Sequence, residues 1–236
     1  MDTAFGFNAQ HTPPDDKLRS YLSGKFEPKD DSMFVTIPSA YSGKPDVQYL
    51  RKETLQGFIK MADAAKKDGI ILKIVSATRN FYAQKAIWEA KWNGTRADWS
   101  DVATKYPEAK NRALAILRYS SMPGTSRHHW GTDVDINSVE PAYFTKGKGK
   151  KEYEWLKKNG PSYGFCQPYS PKGKDRPKGY EEEHWHWSYM PLSKNFIAKY
   201  PATVSYDDIQ GFDGDETAEL LKVIDNYVLG VNMDCK

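Results

Sequence analysis

Two short clusters of histidine and carboxylate residues carry most of the chemistry that this sequence offers. The chain has five histidines, and four of them lie in these clusters. The first cluster, residues 126–135, reads SRHHWGTDVD, and the second, residues 181–187, reads EEEHWHW. Zn²⁺ binds imidazole nitrogen and carboxylate oxygen, and a catalytic zinc site keeps one position open for water. The residue types therefore permit a metal site, although ordinary hydrogen-bonded His–Asp pairs would use the same residues.

Three residues of these clusters could converge on one cation. Asp135 lies in a segment of alternating polar and apolar residues that predicts a strand, and His186 lies in a second predicted strand. His128 precedes the first strand, and Gly131 allows a tight turn between them. The sequence has no H-E-x-x-H motif on a helix, so it is not typical of that class of metalloprotease.

Three motifs resemble those of the zinc D-Ala-D-Ala carboxypeptidases and dipeptidases, the VanY-like family that includes vancomycin-resistance enzymes. Residues 126–135 resemble the pattern S-x-H-x-x-G-x-x-x-D, and residues 183–186, EHWH, resemble E-x-W-H. Residues 76–84, SATRNFYAQ, are similar to the segment S-x-Y-R-x-x-x-x-Q. The motifs occur in the family's order within residues 70–189, about half of the chain.

The resemblance implies a Zn²⁺ cofactor and a mechanism. It assigns His128, Asp135 and His186 as metal ligands and Glu183 as catalytic base. Zn²⁺ would lower the pKa of a bound water toward neutrality. Glu183 would accept the proton of that water and pass it to the leaving amine. The implied reaction trims peptidoglycan stem peptides by cleaving their D-Ala-D-Ala end.

The third motif implies residues that handle the substrate. Arg79 would stabilise the developing oxyanion or bind the terminal carboxylate, since a guanidinium suits both. Ser126 and Gln84 would contact the substrate. Thr78 stands where Tyr is common in the family, so the resemblance defines the substrate pocket less well than the metal site.

Two neighbours of the proposed ligands raise separate questions. Asp133 stands where many family members have Ala, and on a strand it would share a face with Asp135. It could compete as a ligand or add charge around the site. His184 would likewise share a face with His186 and could line the cleft or serve in packing. Glu183 lies three residues before His186, so we expect it in irregular backbone at the start of the strand.

The predicted elements favour an α+β domain, a small antiparallel sheet flanked by helices, because they do not alternate as βαβ units do. The resemblance implies the same arrangement, the hedgehog/D-Ala-D-Ala peptidase fold. Residues 146–151 predict a flexible loop, and Asp215 predicts an N-cap for the last helix. The sequence predicts strands at residues 70–76, 132–136 and 185–189, and a short strand or docking segment at residues 34–38. It predicts helices at residues 49–67, 82–92, 109–119, 151–158, 193–200 and 216–229.

Composition and the family resemblance together divide the chain into three parts. Residues 1–45, rich in Pro, Asp, Lys and Ser, predict an N-terminal arm packed on the domain. The resemblance implies a zinc peptidase domain at residues 46–192, and residues 193–236 predict a C-terminal helical extension of it. We expect no transmembrane segment, because no run of about 18 apolar residues occurs. No apolar leader follows Met1.

Charge and cysteine content bear on partners and compartment. The net charge is only +3, which argues against a nucleic acid partner. The resemblance implies a peptidoglycan stem peptide as substrate and action in the cell envelope, periplasmic or exported. Cys166 and Cys235 either form one disulfide or remain thiols, and the sequence leaves both open.

The motifs leave other functions open. On the same fold, the protein could be an L,D-carboxypeptidase, a D,D-dipeptidase or an endopeptidase that cuts peptide cross-links. A non-catalytic, metal-stabilised binding domain is a further alternative, against which Glu183 and Arg79 argue. A calcium site in the acidic tail, residues 207–215, is disfavoured because its spacing does not fit an EF-hand.

Overall fold

The computed structural model describes residues 16–236, which form an α+β fold with a two-stranded and a four-stranded sheet. The helices are Asp16–Leu22 (α1), Lys52–Lys67 (α2), Phe81–Trp92 (α3), Val102–Lys105 (α4), Ala109–Ile116 (α5), Gly147–Asn159 (α6), Met190–Thr203 (α7) and Thr217–Leu220 (α8). The strands are Phe34–Thr36 (β1), Tyr49–Arg51 (β2), Ile74–Ser76 (β3), Asp133–Ile136 (β4), Phe165–Cys166 (β5) and His186–Tyr189 (β6). The predicted fold class is confirmed.

The four-stranded sheet brings the two histidine–carboxylate clusters together. Its strand order is β3-β4-β6-β5, and every neighbouring pair is antiparallel. β4 pairs with β6 so that Asp135 lies opposite His186. Side chains alternate between the faces of a strand, so Asp133 and Asp135 share the face of His186. Val134 and Ile136 point to the other face and pack in an apolar cluster with residues of α2 and α6.

β4 is buried along its whole length, whereas its alternating sequence predicted a half-buried strand. On its polar face, Arg127 lies against Asp133, and Arg127 is itself inaccessible to solvent. Tyr169 lies against His186 on the same side of the sheet. A second apolar cluster, which includes Tyr169 and Trp130, closes this side. The polar residues of β4 are therefore interior groups that need partners.

Of the predicted N-terminal arm, residues 1–15 lie outside the described residues, and the structure describes the arm from residue 16 onward. Tyr21 and Leu22 of α1 and Phe34 of β1 are buried in the second apolar cluster. Ile197 and Val223, from the predicted C-terminal extension, belong to the same cluster. The division into arm, peptidase domain and extension remains a prediction.

Three local expectations differ from the structure in the first two thirds of the chain. Residues 49–51 form β2 instead of a helix start, because they pair with β1. β3 covers only Ile74–Ser76 of the predicted strand at residues 70–76. The flexible loop predicted at residues 146–151 is wrong, since α6 begins at Gly147. Gly149 is buried against the backbone carbonyl of Tyr143, where a Cβ would come too close, so this packing explains a glycine inside the helix.

The predicted amphipathic helix at residues 216–229 is broken. α8 ends at Leu220, Lys222 has a left-handed φ of 49°, and a separate π-helical turn follows at Ile224–Val228. The predicted N-cap is also wrong. The Asp215 carboxylate accepts the backbone N–H groups of Gly211 and Phe212, which precede it, and so closes a turn before the helix.

A disulfide joins Cys166 of β5 to Cys235, across a separation of 69 residues. Cys235 is fully buried, and the Asn232 N–H donates to the Pro168 carbonyl. The C-terminal residues are thereby attached to the segment that leads from β5 towards the second histidine–carboxylate cluster, residues 181–187. None of the helices within residues 16–236 combines the length and apolarity needed to span a bilayer.

Gly131→Ala is expected to unfold more easily than Gly69→Ala. Both glycines have left-handed backbone, with φ of 67° and 75°. A Cβ at Gly69 meets nothing within 4 Å, whereas one at Gly131 lies 2.4 Å from the Phe34 ring. We expect Gly69→Ala to cost about 1 kcal/mol for the backbone conformation alone. Gly131→Ala should cost roughly 1–3 kcal/mol more, from overpacking.

Urea unfolding of both variants and of the unsubstituted chain, followed by tryptophan fluorescence, gives the two free energies of unfolding. Equal losses in the two variants would mean that Phe34 moves aside without cost and that Gly131 is needed only for its backbone angle.

Candidate active site

The three residues predicted as metal ligands converge at one buried point. His128, Asp135 and His186 each offer one ligand atom, and these atoms lie within 4.8 Å of one another. All three side chains are at most 6% exposed. The rings of His128 and His186 meet edge to face, with centroids 4.7 Å apart. Among the described residues this is the group of histidine, cysteine and carboxylate side chains that could hold a metal ion.

His128 is positioned by a short 3-10 helix, Arg127–Trp130, between the sheet and the preceding loop. The Ser126 hydroxyl accepts the His128 N–H and so caps this turn, and Gly131 ends it in left-handed backbone. His128 Nδ1 lies 2.8 Å from the Ala77 carbonyl, which makes Nδ1 the protonated nitrogen. His128 Nε2 then faces Asp135 Oδ1 at 3.3 Å as a free ligand atom.

The neighbouring His129 points away from this group. Its Nδ1 lies 2.6 Å from the Arg79 carbonyl, and its Nε2 accepts the Gly124 N–H at 3.1 Å. Burial lowers the pKa of His129 to about 3, so the ring is neutral. His129 joins three loops and does not contribute a ligand.

His186 is held between two carboxylates. Its Nδ1 lies 3.2 Å from Asp135 Oδ1, and its Nε2 lies 3.0 Å from Asp133 Oδ1. Asp133 also accepts hydrogen bonds from Arg127 at 3.0 Å and from the Thr132 hydroxyl at 2.6 Å. Asp133 therefore sits behind His186 and orients the ring, as carboxylates behind metal-binding histidines do. This arrangement answers the question that the sequence left open for Asp133.

The buried atoms of this group fit a cation better than they fit one another. His128 Nε2 and Asp135 Oδ1 are both buried without a hydrogen-bond partner among the described residues. Buried polar atoms are nearly always hydrogen-bonded, so two unpaired ligand atoms in one place need a further partner. Two imidazole nitrogens and one carboxylate oxygen are a donor set that Zn²⁺ accepts in catalytic sites.

The charges of the group also favour a cation. Burial raises the pKa of Asp135, but the imidazoles of His128 and His186 outweigh burial and hold that pKa well below its usual range. Burial lowers the pKa of His128. Burial lowers the pKa of His186 as well, yet its hydrogen bond to Asp133 and the negative charges of Asp135 and Asp133 more than compensate and raise the pKa to about 9. A metal must displace the His186 proton, so metal affinity should rise with pH.

Glu183 lies beside the three residues, in irregular backbone before β6 as expected. Its N–H donates to the Tyr169 carbonyl, and its carbonyl accepts from the Gln167 amide. Its Oε2 lies 3.4 Å from His186 Nδ1. Burial raises the pKa of Glu183 to about 8, with Asp135 adding to the effect and His186 opposing it. A carboxyl group in this environment is suited to exchange protons near neutral pH.

Arg79 also lies beside the group of candidate ligands. Its Nε donates to Gln84 Oε1 at 3.0 Å and one terminal nitrogen donates to the Ser76 hydroxyl at 2.6 Å. The same nitrogen lies 3.7 Å from Asp135 Oδ2. Gln84 is itself held by the Ser121 carbonyl at 2.8 Å. The described contacts of Gln84 thus position Arg79, and those of Ser126 position His128.

A cleft of about 460 Å³ opens onto these residues. Arg79, Gln84 and Glu183 line it together with the three ligand candidates, whereas Ser126 does not. The three tryptophans of the two histidine–carboxylate clusters differ in their relation to this cleft. Trp185 lines it, while Trp130 and Trp187 are buried in the apolar clusters.

His184 does not reach the cleft. Its ring stacks on Phe144 and meets the edge of Tyr153, so it serves in packing.

Sequence reasoning missed two cleft residues that contact or face the site. Tyr169 packs against the His186 ring with centroids 4.7 Å apart, and nothing in its sequence context distinguishes it from a core tyrosine. Lys91 is buried on the inner side of α3 and lines the cleft. Its signal was present: Lys91 is a charged residue next to Trp92 and three after Trp88, in a predicted helix whose tryptophans are buried.

The fold and the site together define a class of peptidases. The chain aligns with the LdcB LD-carboxypeptidase, known from a structure of peptidoglycan recognition, with a TM-score of 0.53, 25% identity and coverage of 79% of this chain and 81% of that one. It also aligns with a mutant of the vancomycin resistance D,D-pentapeptidase VanY from the VanB-type cassette, in complex with Zn(II). That match has a TM-score of 0.50, 26% identity and coverage of 77% and 92%.

Residues 47–192 match the VanY family of D-alanyl-D-alanine carboxypeptidases, and the chain belongs to this family. It is 31% identical over 175 residues to the YodJ protein of Bacillus subtilis strain 168. The match covers 72% of this chain and 56% of YodJ, so the chain spans about half the length of that curated relative.

Asp133→Asn is expected to weaken zinc binding about 10- to 100-fold while leaving all three ligand residues in place. The amide cannot supply the negative charge behind His186, and such partners typically contribute this much to metal affinity. Competition with a chromophoric zinc chelator measures the dissociation constant.

Thr132→Val is the matched control, because it removes one hydrogen bond to Asp133 but keeps the contact between Asp133 and His186. We expect it to change the affinity much less. An unchanged zinc affinity in Asp133→Asn, with melting temperatures recorded for both variants, would contradict the role of Asp133 behind His186.

Proposed function

We propose that this chain is a zinc-dependent D-alanyl-D-alanine carboxypeptidase that trims peptidoglycan stem peptides. One observation carries the proposal: His128, Asp135 and His186 converge in the interior with unpaired ligand atoms, and the Glu183 carboxylate lies 3.4 Å from His186 at the wall of a cleft. Membership of the VanY family and the likeness to a VanY solved with Zn(II) support zinc as the metal.

The residues of the cleft have different roles in the proposed reaction. A Zn²⁺ held by His128, Asp135 and His186 would supply Lewis acidity, lowering the pKa of water and polarising the peptide carbonyl. Glu183 removes the proton of the attacking water and delivers it to the nitrogen of the leaving D-alanine. The raised pKa of Glu183 suits both steps, since the group must accept and release a proton in each turnover.

Arg79 stabilises the negative charge that develops on the carbonyl oxygen. Its terminal nitrogen lies 3.7 Å from Asp135, so the guanidinium is beside the ligand group. Gln84 and Ser76 hold two of its nitrogens and preset its orientation, which removes reorganisation at the moment of reaction. Ser126 contributes through the turn that carries His128; direct contact with substrate stays a prediction for Ser126 and for Gln84.

The second candidate function is an L,D-carboxypeptidase. It is favoured by the likeness to LdcB, whose TM-score is no lower than that of VanY. A D,D-dipeptidase and a cross-link endopeptidase use the same chemistry on other bonds. A binding domain without turnover is the least consistent with the cleft, because it would have no use for Glu183 beside the ligand group or for a preset Arg79.

We place the protein in the cell envelope or outside the cell. Its proposed substrate lies there, and the Cys166–Cys235 disulfide is typical of oxidising compartments.

Glu183→Ala is expected to keep one equivalent of zinc and lose hydrolysis, whereas His186→Ala should lose both. Removing a general base costs roughly 10²- to 10⁴-fold in kcat, while removing a ligand removes the metal. Metal analysis of the purified proteins and release of D-alanine from a peptide ending in D-Ala-D-Ala give the two readouts. Full activity in Glu183→Ala would remove Glu183 from the mechanism, and full zinc in His186→Ala would remove His186 from the ligands.

Defined muropeptides distinguish the bond specificities. We expect release of D-alanine from a pentapeptide stem ending in D-Ala-D-Ala and none from a tetrapeptide stem. Mass spectrometry of the reaction products measures both. Release from the tetrapeptide alone would favour the L,D-carboxypeptidase. Release of the intact dipeptide D-Ala-D-Ala, or separation of cross-linked stems, would favour a dipeptidase or an endopeptidase.

A further inference from the structure

Lys91 places a buried positive charge in the substrate cleft. The residue is 7% exposed and lies on the inner side of α3. Its ammonium donates to the Ser120 hydroxyl at 2.5 Å and lies 5.4 Å from the centre of the Trp99 ring. Both contacts are to uncharged groups. An ammonium has three N–H donors, so part of its hydrogen-bonding capacity remains for the cleft.

The charge of Lys91 has no carboxylate partner within residues 16–236, since no ion pair involves it there. Asp98 and Glu183 act on it only through their more distant charges. The other cations that line the cleft differ: Arg79 lies 3.7 Å from Asp135, Arg96 is paired with Asp98 at 2.7 Å, and Lys44 is exposed to solvent. Buried charges are normally paired, because removing an ion from water is costly. An unpaired buried cation in a cleft therefore indicates where an anion binds.

The position of Lys91 relates it to the reacting groups. Gln84 and Lys91 are seven residues apart on α3 and so lie on one side of the helix. Gln84 is bound by the Ser121 carbonyl and Lys91 by the adjacent Ser120 hydroxyl. Arg79, Gln84 and Lys91 are thus arranged in a row, through the Arg79–Gln84 hydrogen bond and the shared side of α3. Burial lowers its pKa to about 8, which leaves the ammonium mostly protonated at neutral pH.

The sequence motifs leave two roles open for Arg79: stabilising the oxyanion and binding the terminal carboxylate. The row of Arg79, Gln84 and Lys91 allows these two roles to fall to different residues. Arg79 has its guanidinium beside Asp135, where the carbonyl oxygen of the cleaved bond would develop charge. The carboxylate of the leaving residue lies beyond that bond and needs a cation further along the cleft. We propose that Lys91 binds the C-terminal carboxylate of the peptide, so that Lys91 makes the protein select chains with a free carboxyl end. The inference rests on the proposed carboxypeptidase function and names a residue for it.

The test compares a peptide ending in free D-Ala-D-Ala with the same peptide carrying a C-terminal amide. The zinc-loaded protein should cleave the free acid with a kcat/KM at least about 10-fold higher. Lys91→Met should lower kcat/KM for the free acid roughly 10- to 100-fold, mainly through KM, as expected for loss of one charged hydrogen bond. It should leave the value for the amide within about twofold, and Lys91→Arg should restore part of the preference.

Lys85→Met is the matched control, because Lys85 lies on the same helix and its ammonium donates to the Gly211 carbonyl outside the cleft. It changes the net charge equally and should keep the preference for the free acid. Zinc content and melting temperature are recorded for every variant. An equal fall for both peptides in Lys91→Met, or no fall for either, would overturn the proposal, since Lys91 would then be structural.

A binding measurement separates this proposal from the proposed function. Titration calorimetry of zinc-loaded Glu183→Ala with D-Ala-D-Ala and with its amide needs no turnover. Tighter binding of the free acid that disappears in Glu183→Ala combined with Lys91→Met supports the proposal even if the protein hydrolyses neither peptide. Retained preference for the free acid in that double variant would overturn it, whatever the activity.

Discussion

The antiparallel pairing of β4 with β6 is the constraint on which the site depends. It sets Asp135 opposite His186, although the two residues are far apart in the chain, and places Asp133 on the same face. A shift of the register by one residue would turn these side chains to the apolar face, where Val134 and Ile136 pack. The residues that could hold the metal are therefore positioned by backbone hydrogen bonds at the centre of the sheet, and only His128 comes from a turn.

That pairing buries several charged side chains, and each of them contacts a neighbour of opposite charge or a hydrogen-bonding partner. Arg127, which is fully buried, is paired with Asp133, Asp133 holds His186, and His186 faces Asp135. Removing one member of such a buried series leaves its neighbour unpaired, which costs more than the pair itself contributes. The series ends at Asp135 Oδ1, which is buried without a hydrogen-bond partner among the described residues. A cation bound there would complete the compensation and would couple the stability of the fold to occupancy of the site.

Residues beyond the VanY match also support the wall of the cleft. Tyr169 packs on the His186 ring, Tyr180 packs on Tyr169, and Tyr227 packs on Tyr180, with ring centroids 4.7, 4.8 and 5.1 Å apart. Tyr227 belongs to the C-terminal residues, which the disulfide ties to β5 through Cys235. The family match ends at residue 192, so the last link of this aromatic row comes from a part of the chain that the shared domain does not include.

The sequence by itself determined the fold class and the three residues that converge as candidate metal ligands, because the motifs that carry them are recognised by local spacing and residue type. Tertiary structure decided what each polar residue does there. Asp133 orients His186 and His184 packs against Phe144, although each lies two residues from a predicted ligand. The helix predicted at residues 216–229 breaks at Lys222, which has left-handed backbone. These outcomes depend on which distant elements pack against each residue, and that information is absent from local periodicity.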